Sequence, residues 1–135
     1  DDGSALERFG QIIAAQGGDR RVLDDPERFL PTATHEYTVR APRSGVIHRL
    51  DALATGIAGR MLGAGRQTMD DTIDPGAGIQ LHRKLGQPID DGDAIATLYT
   101  NNCTLFAAAE QTLLTGIEIQ DAGIGAQTLL IERLD

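Results

Sequence analysis

The sequence predicts an α+β domain in which strands dominate and two helices cover them, preceded by a short helix and a linker. Three observations carry this. Apolar residues recur at helical spacing over residues 4–16, alternate with polar ones from residue 34 onward, and return to helical spacing twice, over 52–62 and 104–114. Gly and Pro punctuate most of these changes of period. The chain has 135 residues, and a domain of that size buries roughly two-thirds of its unfolded surface, enough for a core without disulfides or metal.

Element by element, Ser4-Ala5-Leu6-Glu7 has the form of a capping box, with a hydroxyl at the N-cap and a carboxylate three residues on. Leu6, Phe9, Ile12 and Ile13 follow on one helical stripe, and Gly17-Gly18 ends it. A helix this short is marginal in water and must dock on something. Residues 19–33 are polar and broken by Pro26 and Pro31, and they read as a linker with one turn at Arg28-Phe29-Leu30. Tyr37, Val39 and Ala41 alternate as a strand, Pro42 and Gly45 punctuate, and Val46–Leu50 resumes as strand. In Ala52–Leu62, Leu53, Ile57 and Met61 form one helical ridge and Ala54, Ala58 and Leu62 a second, while the small residues Gly56, Ala58 and Gly59 suggest close packing on a sheet. Ile79–His82 and Ala94–Tyr99 are strands, the latter fed by a tight turn at Ile89–Asp93. Asn101 or Asn102 caps a helix over Thr104–Leu114, and Ile117–Ile119 and Thr128–Ile131 close the chain as strands.

Composition narrows the function classes. Hydrophobic residues make up 41% and charged residues 24%, ordinary values that exclude disorder, collagen and coiled coil. Apolar runs are a few residues long, so no membrane span is expected. A single cysteine excludes a disulfide framework and suits a reducing compartment, which points to the cytoplasm. The chain opens Asp1-Asp2-Gly3 with no Met, basic region or apolar leader, which leads us to expect the C-terminal part of a longer protein. Net charge −8 and a pI near 4.7 argue against nucleic acid as a partner. The charge is uneven: residues 34–66 carry five bases against two acids, and form a positive island of Arg40, Arg43, Arg49, Arg60 and Arg66. Such an island faces either an anionic ligand or an acidic neighbouring domain, and the second reading is preferred.

Most chemical motifs are missing. His35, His48 and His82 have no metal-ligand spacing and Cys103 has no second Cys, so no metal site is expected. Asp70, Asp71 and Asp74 miss the calcium-loop pattern and read as a solvated turn. Ser44 lacks a nucleophile elbow, and no dinucleotide or phosphate loop is present, so no catalytic residue is assigned. Gly63-Ala64-Gly65-Arg66 admits two readings: glycines supplying positive φ at a helix end, or a flexible flap that carries Arg66 towards an anion.

Two resemblances follow from longer motifs. Val39–Ile47 together with Lys84–Leu98 is similar to the two halves of biotinyl and lipoyl carrier domains, which suggests barrel-sandwich-hybrid strands. Carriers present a lysine on the hairpin between these halves; residues 51–82 hold none, and Lys84 lies outside that hairpin, so carrier function is not expected. More of the chain resembles the C-terminal region of pyrimidine-nucleoside and thymidine phosphorylases. The motifs are Gly3-Ser4-Ala5-Leu6-Glu7-Arg8-Phe9, Gln16-Gly17-Gly18-Asp19, Ala41-Pro42-Arg43-Ser44-Gly45, Leu62-Gly63-Ala64-Gly65-Arg66 and Asp71-Thr72-Ile73-Asp74-Pro75 with Gly78-Ile79, in the family's order.

This resemblance implies an α/β-hammerhead domain over 34–135, with 1–33 the tail of a preceding α/β catalytic domain. It implies phosphorolysis of uridine or thymidine by the parent, a homodimer, with phosphate as co-substrate and no cofactor in this chain. The partners implied are the upstream domains, the nucleoside and phosphate, with neither nucleic acid nor membrane. The family's catalytic residues lie upstream and match nothing here; Gly63, Gly65 and Arg66 carry over as a substrate-closure loop. The competing expectation is a stand-alone carrier-like sandwich that acts in protein interaction.

Overall fold

The computed structural model describes residues 2–66 and 68–121. The chain divides into two compact units, one ending at Thr32 and the other starting at Ala33.

In the first unit, helix α1 (Ser4–Ala15) forms where the apolar period predicts it, but its cap differs. Ser4 is already helical; its backbone N–H and hydroxyl both donate to the Asp2 carboxylate, at 3.0 and 2.6 Å. A carboxylate two residues upstream is a stronger acceptor than a serine hydroxyl, so the expected capping box does not form, and Glu7 pairs instead with Arg20 at 2.9 Å. At the far end Gly18 N–H bonds to Ile13 C=O and Gly17 N–H to Ala14 C=O, the paired bonds of a Schellman motif. The segment expected to be mostly linker holds two capped turns. Asp19 caps a 3-10 turn at Arg20–Leu23, and Asp25 caps α2 (Pro26–Phe29), where proline takes the first position. The Arg21 guanidinium sits 4.6 Å over the Phe29 ring, which ties the two turns together.

The second unit is α+β, with two three-stranded antiparallel sheets. Its strands are β1 (His35–Arg40), β2 (Gly45–Leu50), β3 (Gly78–Leu81), β4 (Pro88–Ile89), β5 (Ala94–Thr100) and β6 (Ile117–Gln120). One sheet runs β1-β5-β3 and the other β4-β2-β6. Helix α3 (Ala52–Gly59) follows β2, and α4 (Phe106–Thr115) follows β5 through a 3-10 turn at Cys103–Leu105. The strand expected over Thr128–Ile131 lies outside the described residues.

β5 is the centre of its sheet. Ile95, Ala96, Thr97 and Leu98 are all buried, so both faces of the strand are covered and no polar alternation survives. The core joins them to Val39, Ile47, Ala58, Leu62, Ile89, Ala109 and Leu113. Of the two ridges on α3, Ala58 and Leu62 face this core, whereas Leu53 is 73% exposed. Of the small residues of α3 expected to pack closely, Ala58 does so, fully buried in the core, whereas a Cβ on Gly56 or Gly59 would meet nothing within 4 Å. The tight approach is at Gly116, where an added Cβ would lie 2.6 Å from Ala54 Cβ, because α3 packs chiefly on α4 and not on a sheet.

Two backbone details fix the sheet edges. Gly45 has φ 154°, and a Cβ there would lie 2.6 Å from the Gln120 carbonyl oxygen, so only glycine lets β2 approach β6 this closely. β2 carries a bulge between Ile47 and Arg49, which leaves His48 out of register with β6. Leu98→Ala should destabilise the protein by about 2–5 kcal/mol, since a fully buried side chain leaves a cavity. Chemical denaturation measures this; a loss below about 1 kcal/mol would show that β5 is not the packed centre.

Candidate functional site

The Leu62–Arg66 segment is where the helix begun by α3 ends. Asp51 caps that helix, its carboxylate accepting the Ala54 N–H at 3.0 Å. The helix widens at Arg60–Ala64 into a π turn, and Gly63 breaks it with φ 108° and ψ 0°. That conformation lies in the left-handed region, where L side chains are strained. Space is tight as well: a Cβ on Gly63 would sit 3.3 Å from Asp74 Cβ, which would have to give by a few tenths of an ångström. Gly65 is extended and its α-carbon lies along the Arg60 stem.

The base of this turn is pinned. Leu62 is buried, and its carbonyl accepts the Thr100 hydroxyl at 2.8 Å. The Gly63 carbonyl accepts the Asp74 N–H at 2.9 Å. Asp74 itself is bound on every side. One carboxylate oxygen accepts the Gly76 N–H at 2.9 Å, and the other accepts the Asn101 side-chain amide at 2.9 Å and backbone N–H at 3.3 Å. Asn101 Oδ1 in turn accepts the Thr34 N–H and hydroxyl, each at 2.9 Å. The Gly76 N–H, opposed by burial and aided by Asn101, holds the Asp74 carboxyl below its ordinary pKa. The turn expected at Asp74 is present, and the structure adds its partners: Asp74-Pro75-Gly76 is an Asx turn whose second oxygen reaches another strand end. The Asp-Pro turn signal was present in the sequence; the partner was not.

Beyond the pinned base, Arg66 is exposed and makes no ion pair or hydrogen bond among the described residues. It lines an open groove of about 390 Å³ with Thr55, Gly59, Arg60, Gly65 and Gly78. The positive island thus separates into two classes. Arg43 pairs with Asp121, Arg49 lies 3.5 Å from Asp51, and Arg40 donates to the Gly92 carbonyl at 2.9 Å. Arg60 and Arg66 remain without an acidic partner among the described residues. The geometry brings together all three residues singled out from the sequence, Gly63, Gly65 and Arg66, on one turn.

The other titratable groups are scattered. His82 Nε2 lies 2.8 Å from the Thr97 hydroxyl, Nδ1 of His48 is buried without a hydrogen-bond partner among the described residues, and Cys103 is exposed. No group of three His, Cys, Asp or Glu among the described residues is placed to hold a metal, and no described helix is long and apolar enough to cross a membrane. Lys84 stands on the exposed Lys84–Gln87 turn between β3 and β4.

Gly63→Ala should cost about 1–3 kcal/mol, combining the strain of a left-handed alanine with its contact on Asp74. Gly65→Ala, in extended backbone, should cost under about 1 kcal/mol. Equal losses in thermal or denaturant melts would show that the Gly63 conformation is not required.

Comparison with known proteins matches residues 46–120, from β2 through β6, to the family described as pyrimidine nucleoside phosphorylase C-terminal domain. The thymidine phosphorylase of Mycobacterium tuberculosis strain H37Rv is 40% identical over 133 residues, covering 98% of this chain and 30% of that protein. The pyrimidine-nucleoside phosphorylase of Geobacillus stearothermophilus is 37% identical over the same length, with the same coverage. That of Staphylococcus haemolyticus is 46% identical over 101 residues, covering 75% of this chain and 23% of that protein. The chain therefore spans about 30% of the length of its longest-matching relatives. Because the family match includes the Gly63 turn, the Asp74 turn and every strand from β2 to β6, and relatives covering 98% of the chain agree with it, the chain belongs to the pyrimidine nucleoside phosphorylase C-terminal domain family.

Proposed function

We propose that this chain is the C-terminal domain of a longer pyrimidine-nucleoside phosphorylase, that it serves domain closure and stability, and that it supplies none of the catalytic residues. In the reaction, a phosphate oxygen attacks C1′ of uridine or thymidine. The bond from C1′ to the base breaks with its electron pair going to the base, which leaves as pentose 1-phosphate forms. Phosphate is co-substrate, and no further cofactor is needed. The two small sheets are read as an α/β-hammerhead with barrel-sandwich strands. Residues 1–33 are read as the tail of the preceding α/β catalytic domain, and the parent as a cytoplasmic homodimer.

The family match supports the reaction class, and the share of the relatives that this chain spans supports a domain role. Leu6, Phe9 and Ile12 of α1 are all exposed, an apolar stripe that a preceding domain would cover. The observation that carries the closure role is Arg66, an exposed cation without a partner among the described residues, on a turn whose base is pinned. Such a group is free to meet negative charge when domains close, and closure excludes water and completes the geometry of attack.

Full-length parent enzyme should release uracil or thymine from its nucleoside only when phosphate is present. Phosphate-independent release, or none from either nucleoside, would refute the assignment. In the same protein, Arg66→Ala should lower kcat/KM roughly tenfold or more, as expected when closure is impaired. Stability should change by less than about 0.5 kcal/mol, because an exposed, unpaired side chain is lost. Parallel loss of melting temperature and turnover would instead make Arg66 a structural residue.

A further inference from the structure

We infer that Asp74 and Asn101 are positioning residues for the Leu62–Arg66 turn: their hydrogen-bonded clasp sets where Arg66 is presented. The inference rests on the closure reading of Arg66 for its functional consequence, but not for its geometry.

Four separate stretches of chain meet at this point. The turn contributes the Leu62 and Gly63 carbonyls, the end of β5 contributes Thr100 and Asn101, the Asx turn contributes Asp74 and Gly76, and the residue before β1 contributes Thr34. Among the described residues, two bonds hold the turn to this meeting point, Thr100 Oγ to the Leu62 carbonyl and Asp74 N–H to the Gly63 carbonyl. The first is anchored in a strand buried on both faces. The second is as rigid as Asp74, which is held through its carboxylate on Gly76 and Asn101 and its carbonyl on Ala77. The orientation of Asn101 is itself unambiguous. Its Oδ1 receives two donors from Thr34, so its amide nitrogen must face Asp74.

The side-chain bond of the clasp pairs an acceptor-only carboxylate with an amide donor, so this bond can be inverted by swapping the pair. Asp74→Asn alone places an amide donor opposite the Asn101 amide. Adding Asn101→Asp restores an acceptor there. The carboxylate introduced at position 101 takes the Thr34 donors on one oxygen and the amide introduced at position 74 on the other, while the Gly76 N–H keeps an amide oxygen and the exposed backbone N–H of residue 101, which donated to Asp74 at 3.3 Å, turns to water.

The test uses the intact phosphorylase that contains this chain. Hydrogen exchange of the peptide spanning Leu62–Arg66, read by mass spectrometry, should speed up about tenfold in Asp74→Asn and return to within about threefold of wild type in the double swap. kcat/KM for phosphorolysis should fall and recover in step, with kcat moving more than KM. If Asp74→Asn does not fold, the double swap alone decides. Unchanged exchange in Asp74→Asn, or a folded double swap whose exchange stays fast, overturns the inference. Exchange that responds while turnover does not leaves the clasp in place and removes the closure role of Arg66.

Discussion

The burial of β5 on both faces is the constraint on which the rest of the second unit depends. A strand with no solvated face must be covered by β1 and β3 at its edges and by packed side chains above and below. Ala96 and Leu98 allow this without leaving polar atoms unpaired, and Thr97, the buried polar residue within the run, has its hydroxyl 2.8 Å from His82. The strand ends in Thr100, which is 1% exposed and spends its hydroxyl on the Leu62 carbonyl. The strand buried on both faces therefore also holds the start of the turn that carries Arg66.

That turn combines a fixed base with a free cation. Leu62 is anchored in the core, Gly63 reverses the chain in a conformation that only glycine takes without strain, and the released carbonyls each find a donor. Nothing in this base needs Arg66, whose side chain is spent on no contact among the described residues. Three other arginines of the positive stretch behave differently from Arg66 and Arg60: Arg40, Arg43 and Arg49 each lie on β1, β2 or the loop between them and bond to neighbouring backbone or carboxylates. Charge alone did not separate these groups, whereas position in the fold does.

Membership in the phosphorylase C-terminal domain family gives this arrangement its context. The chain spans about 30% of the length of relatives such as the thymidine phosphorylase of Mycobacterium tuberculosis, so the closure role proposed for Arg66 concerns the longer parent protein. The barrier to phosphorolysis is lowered by positioning phosphate in line and by excluding water, and both can be supplied by a domain that closes over the reactants.

How much of this could be read from the sequence varies by element. The strands at Val46–Leu50, Ile79–His82 and Ala94–Tyr99, the helix ending at Gly63, and the family motifs were all legible, because periodicity, glycine placement and motif order are local properties of the chain. The cap at Asp2 and the turn at Arg20–Leu23 were missed, and the turn expected at Arg28-Phe29-Leu30 begins two residues earlier, at Pro26, because several Asp and Ser side chains compete for the same orphan amides and geometry picks the winner. The strand orders β1-β5-β3 and β4-β2-β6 put sequence-distant strands side by side, which no local pattern encodes. The same holds for the bond from Asp74 to Asn101, 27 positions away, and that from Thr34 to Asn101, 67 positions away. By itself the sequence determined which segments are helix or strand, where the chain must reverse, and the family to which it belongs. Only the tertiary structure decided which polar groups meet, since pairing β5 with β1 and β3 brings distant strand ends together and sets the exposed Thr34 and Asn101 and the half-buried Asp74 within bonding distance.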